Sequence, residues 1–147
     1  MNRQSLLHIA LAGFLGTSVM TVFSYILSHL SADNFREPQL LGKLLQGTLL
    51  PINSPISRPA GWVCHYSFGL GLATVFHNSW KHRENATPLL SGLIAGACSG
   101  TAAVIWWHNA FRLHPHPPLL RHDRFYLQLF IAHMLYSITV AETIKER

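Results

Sequence analysis

The sequence predicts an all-α integral membrane protein: a four-helix bundle with a short amphipathic helix lying in the interface within the first loop. Three observations carry that expectation. Of the 147 residues, 49% are hydrophobic and only 12% charged, about half the charged share of an average soluble domain. Four stretches free of Asp, Glu, Lys and Arg are each long enough to cross a bilayer. All four tryptophans, Trp62, Trp80, Trp106 and Trp107, fall within about two residues of an end of those stretches, where an amphipathic indole ring prefers to sit. The same composition excludes a disordered tail, a coiled coil and a nucleic-acid-binding module. The net charge of +5 arises from 11 Lys and Arg against 6 Asp and Glu with no basic run, so it reflects scarce acids more than a basic patch. The length allows one membrane domain, residues 1–147.

The spans, in order, are about 6–30, 60–80, 88–107 and 125–141. A soluble bundle would need a charged stripe on each helix, and these stretches have none. The first reads as a span or signal anchor. As a secretory leader its apolar run is too long, and Leu30-Ser31-Ala32 is a poor cleavage site. Four spans place both termini on one side. That side holds five Lys and Arg and the other six, so the positive-inside rule gives no orientation.

Between the first two spans, Pro38 opens a segment in which Leu40, Leu41, Leu44, Leu45 and Leu49 recur at roughly helical spacing, opposite Gln39, Lys43 and Gln46. This predicts a surface helix at about 39–49 with its apolar face in lipid; the rival reading is a re-entrant segment buried against the bundle. In the third span Gly92, Gly96 and Gly100 form a doubled small-xxx-small stripe, with Ser91, Ala95, Ser99 and Ala103 beside it. Such a stripe lets helix backbones approach closely. It serves packing within the bundle, or a homodimer or larger membrane complex. Gly13, Gly16, Gly69 and Gly71 are candidate receiving surfaces. Cys64 and Cys98 differ in depth by about 9 Å, too far for a disulfide, and read as small packing residues.

Ten histidines in one short chain invite a functional reading. Seven of them fall toward the side of the first and third loops. His65 and His133 lie about 7 and 12 Å inside the expected boundary, where an imidazole needs a partner or a water-filled cavity. They define a candidate polar cavity with Tyr66 and Tyr136 as neighbouring hydroxyls and His108 or His114 at its mouth. The bland alternative is hydrogen bonding within a packed interface, to each other or to Ser67, Tyr66, Ser137 or Tyr136. Haem or a transition metal on His65 and His133 is the alternative cofactor reading. His114 and His116 form only a weak chelate, because Pro115, Pro117 and Pro118 splay the loop. No acidic residue is expected deep in a span, and no phosphate-binding, serine-hydrolase or zinc-protease motif is present.

The run Gly61-Trp62-Val63-Cys64-His65-Tyr66, followed by Gly69, resembles the second-span opening of an uncharacterised bacterial family of small four-helix inner-membrane proteins. Pro88, the glycine stripe, Pro115, Pro117 and His133 extend the similarity over 58–141. The resemblance implies a fold and a bacterial inner membrane, and no activity. The expectation is a multi-pass, non-enzymatic protein, either permease-like or a structural subunit, with lipid as its partner and no nucleic acid. The runner-up is a membrane oxidoreductase or a metal- or haem-binding protein.

Overall fold

A computed structural model describes residues 3–80 and 87–145, except the side chains of Arg3 and Lys145. Five helices follow one another: α1 (Arg3–Ser31), α2 (Glu37–Leu45), α3 (Ser57–Trp80), α4 (Pro88–Leu113) and α5 (His122–Lys145). No strand occurs among the described residues. The helix starts follow local chemistry. Thr87 caps α4 by accepting a hydrogen bond from the Leu90 amide, and Pro88 occupies the first turn, where its missing N–H costs nothing. Pro38 opens α2 in the same way. His114 ends α4 with an extended backbone, which the following Pro115 favours.

Three of these helices, α1, α4 and α5, are long and apolar enough to cross a membrane. α3 has the length, but His65, Tyr66, His77 and Asn78 lower its apolar character, and it stays outside that set. The surface is inverted relative to a soluble protein. Leu7, Phe14, Val22, Val63, Phe68, Leu90, Ile105 and Leu127 are all exposed. Facing inward from α1 is instead a row of hydroxyls, Thr17, Thr21, Ser24 and Ser28, all buried. Thr17 and Thr21 return their protons to carbonyls one turn earlier, which satisfies them inside the helix.

Contacts fix the register. Thr17 meets Gly69 and Thr21 meets His65, so α1 and α3 are antiparallel. Gly16 meets Tyr136 and Val140 while Ser24 meets Gln128, so α1 and α5 are antiparallel too. The expected stripe of Gly92, Gly96 and Gly100 lies on Ile138, Met134 and Phe130 of α5. A Cβ added to Gly96 would stand 2.8 Å from the Met134 Cα, closer than packed carbons tolerate. The helices are thus laid in the order α3, α1, α5, α4. The remaining pair, α3 and α4, has no close backbone seam. Phe68 and Trp106 bridge it with ring centres 6.0 Å apart.

Two expectations change here. α2 does not lie with its leucines in lipid. It spans Glu37–Leu45, shorter than the expected 39–49, and Leu40 and Leu41 are buried. The helix packs antiparallel on α3 at Gly42 and Gly61, where a Cβ on Gly42 would stand 2.5 Å from the Ser57 carbonyl oxygen. Leu49, counted in the apolar face, lies outside the helix and is exposed. The tryptophans also divide. Trp62 and Trp106 face outward, whereas Trp80 packs on Phe76 and Trp107 sits between Phe111 and Phe125. Both cysteines are free; Cys64 is half-buried, and Cys98 is exposed rather than packed.

The α2–α3 contact makes glycine 61 a sharp test. A Cβ there would press on the Pro38 carbonyl oxygen and the Gly42 amide, whereas Gly71 has open space around it. Gly61→Ala is expected to destabilise the detergent-solubilised protein by about 1–3 kcal/mol, an overpacking cost. Gly71→Ala is expected to be neutral or to gain up to about 1 kcal/mol of helix propensity. Thermal unfolding of the two variants side by side checks the pair.

Candidate functional site

Where α3 and α4 fail to close, a cavity of about 390 Å³ opens between them. It lies between two apolar clusters. One contains Met20, Ala73 and Tyr136, and the other Leu41, Trp107 and Leu129. Phe68, Leu72, Ala102, Ala103 and Trp106 form its outer, apolar walls. His65, His133, Tyr136 and Glu37 supply its polar lining. Counted from the helix starts, His65 is about 12 Å and His133 about 16 Å along the axis from the end that carries α2.

The hydrogen bonds assign the ring protons. Thr21 donates its hydroxyl proton to the Thr17 carbonyl at 2.6 Å. It therefore accepts from Nε2 of His65, 2.9 Å away, and a neutral His65 has its Nδ1 lone pair unused. Nδ1 of His133 donates to the Leu129 carbonyl at 2.9 Å, so Nε2 of that ring is the acceptor. The Tyr136 hydroxyl donates to the Gly69 carbonyl at 2.5 Å, tying α5 to α3 across the cavity floor.

Glu37 is the unexpected member. It stands at the first turn of α2 and is only 2% exposed. Its Oε1 accepts from the Ser24 hydroxyl at 2.7 Å and from the Gln128 amide at 3.0 Å. Gln128 also donates to Ser24 at 2.5 Å, which closes a triangle between α1, α2 and α5. The second carboxyl oxygen, Oε2, and the Gln128 carbonyl oxygen are buried without a partner. Burial pushes the Glu37 carboxyl up from an ordinary 4.5 to about 7, against the opposing pull of the Ser24 and Gln128 hydrogen bonds. The expectation that no acid lies deep in a span concerned the spans alone, and Glu37 lies outside them, on α2. The signal was present: Glu37, Leu40, Leu41 and Leu44 share the i, i+3, i+4, i+7 positions of one helix face. A carboxylate on that apolar face is costly unless it has partners.

Of the expected cavity residues, His65, His133 and Tyr136 come together and the other three do not. Tyr66 points away, stacked on Trp62 and close to Phe14, with its hydroxyl 3.1 Å from Ser18. It sits 100° around α3 from His65, and only one of the two can face inward. His108 is exposed beside the Tyr126 hydroxyl at 3.4 Å. His114 is a loop staple. Its Nε2 donates to the carbonyls of Leu44 and Gln46, and its Nδ1 accepts from the His116 amide. That pins the third loop to the end of α2. A second, shallower hollow of about 490 Å³ runs along the outer face of α1 and α3, walled by Val22, Tyr25, Ile26, Leu30 and Trp62. His29 and Thr21 also border it, but its exposed lining is almost wholly apolar.

Among the described residues no three His, Cys, Asp or Glu side chains converge as a metal-binding group. No protein-family model, curated protein or solved structure matches the chain.

The Glu37 carboxyl gives stability a pH dependence with a definite sign. Its folded value lies above its unfolded one, so between about 4.5 and about 7 the folded state binds the extra proton. The contribution of this group to stability is therefore greatest at the acid end of that window and falls by a few kcal/mol as pH rises through it. Glu37→Gln keeps the shape and removes the charge, so its melting temperature in mild detergent should gain on that of the unaltered protein as pH rises from 5 to 8. A difference that stays constant across that range would contradict the buried carboxyl.

Proposed function

We propose that the chain is a multi-pass membrane protein with four spans, and that it works as a permease-like binding protein rather than an enzyme. The observation that carries this reading is the cavity, polar on its inner side and open toward the apolar outer surface between α3 and α4. Three helices already have the length and apolarity of spans. α3 joins them because its outward face is the same kind of surface, with Val63 67%, Phe68 61% and Val75 57% exposed. Its polar residues are explained locally. His65 bonds inward to Thr21, and His77 and Asn78 stand in the last turn of the helix. Monomeric soluble proteins rarely leave apolar patches of this extent uncovered; lipid covers them at no cost.

The lining favours binding over chemistry. Among the described residues no Ser, Thr, Cys or Lys side chain lines the cavity, and its polar groups are Glu37, His65, His133 and Tyr136. The imidazoles and the phenol spend their protons on helix carbonyls or hydroxyls, which positions them as fixed acceptors. The likeness of residues 61–66 to small inner-membrane four-helix proteins belongs to the same reading, with lipid as the partner and the bacterial inner membrane as the place.

Sided labelling decides whether α3 crosses. With Cys64 and Cys98 replaced by alanine, Ile52→Cys and Arg83→Cys flank α3, and Lys145→Cys marks the end of α5. An impermeant maleimide applied to oriented vesicles should reach position 52 from one side, and 83 and 145 from the other. Labelling of 52 and 83 from the same side would remove α3 from the spans and with it this reading.

A further inference from the structure

Among the described residues the unpartnered polar atoms on the cavity wall and on Gln128 just behind Glu37 are acceptors, while the one unpartnered buried donor, Arg36 Nε, belongs to a side chain outside the lining. Glu37 Oε2 and Gln128 Oε1 are buried without partners. His65 Nδ1 and His133 Nε2 have no protein partner among the described residues once the other ring nitrogen is assigned. Every one of these is an acceptor, and the complement of an acceptor-only site is a donor. The carboxyl of Glu37 adds a negative charge when ionised. The other end of the cavity is walled by aromatic faces, Phe68, Trp106 and Trp107, which attract cations through the ring quadrupole. Arg36, next to Glu37 in the chain, is outside the lining and has its guanidinium over the Tyr25 ring, 5.2 Å from its centre.

We propose that this cavity binds a lipophilic ammonium ion, an amine on a small apolar body, which enters from the bilayer through the seam between α3 and α4 and places its N–H donors against Glu37, His65 and His133. The volume of about 390 Å³ matches a small-molecule site. The inner acceptors and outer apolar walls orient the amine inward and its hydrocarbon toward Phe68 and Leu72. This deepens the permease-like reading and rests on it.

Binding is then coupled to a proton. The titratable groups that line the cavity are Glu37 from α2, His65 from α3, and His133 and Tyr136 from α5; α1 and α4 contribute none among the described residues. Protonating the carboxyl or either imidazole removes an acceptor and adds positive charge, so each opposes a cation in the same direction. A primary ammonium keeps its charge up to about 10. Its affinity should therefore follow the ionised fraction of Glu37 and fall on acidification.

The test uses the full chain in lipid nanodiscs with three probes of one shape: 4-phenylbutylamine, 4-phenylbutan-1-ol and 4-phenylbutyrate. Calorimetry at pH 8 should show the amine binding about tenfold or more tighter than the alcohol, with the carboxylate weakest. Lowering the pH to 5.5 should weaken the amine about tenfold or more and leave the alcohol unchanged. Glu37→Gln should erase the advantage of the amine while the alcohol still binds. An amine no tighter than the alcohol, or an advantage that survives Glu37→Gln, overturns the proposal. Should that variant not fold, the pH dependence of the unaltered protein decides alone, and a flat profile overturns it. The labelling result is obtained without any ligand, so a failure of binding and a failure of the span assignment remain distinct.

Discussion

The fold turns on one buried carboxyl group. Glu37 sits where α1, α2 and α5 meet, joined to Ser24 and Gln128 by one of its two oxygens. Removing a carboxylate from water costs several kcal/mol unless it is fully paired, and here the pairing is half complete. Holding the group partly protonated near neutrality is the physical compromise. The same hydrogen bonds anchor the first turn of α2 inside the helices. Gly42 and Gly61 allow α2 to lie directly on α3, and His114 fastens the other end of α2 to the third loop. A segment that would otherwise float on the membrane surface is thus made one wall of the cavity.

The second constraint is where small residues fall. Gly13 and Gly69 let α1 and α3 approach, Gly16 does so for α1 and α5, and Gly92, Gly96 and Gly100 for α4 and α5. In lipid, close backbone approach is the main source of helix adhesion. No comparable set joins α3 to α4. That seam is held apart by Phe68 and Trp106, and the cavity is the space their bulk preserves. Among the described residues three seams are tight and the fourth, between α3 and α4, is where the cavity opens.

Much of the architecture was legible in the sequence because in a membrane the strongest signals are long and unambiguous. Each expected span lies inside an observed helix, and the outer helix faces are apolar as the absence of charge required. The glycine stripe was legible as a packing surface, but its partner was not: it lies on Ile138, Met134 and Phe130 of α5 and not on the glycines of the first two expected spans. Within the site, depth alone picked out His65 and His133. Tyr136 came with His133 by sharing its face. The misreadings have a common source. Tyr66, His108 and His114 were placed by their end of the molecule, not by rotation about a helix axis, and a 100° turn or a loop staple takes a side chain out of a cavity. Glu37 lies just outside the charge-free stretches, on the leucine face of α2, where the length of an apolar run carries no information about a buried acid.

The protonation state of Glu37 is the most direct measure of this arrangement. Infrared titration of the protonated carboxyl stretch, with Glu37→Gln as the reference that removes the band, isolates the group among the 6 acidic residues. A buried carboxyl with one unpartnered oxygen should titrate with a midpoint near 7. A band that disappears by about pH 5, in the ordinary carboxylate range, would place Glu37 in water and contradict the buried site on which the fold and the cavity depend.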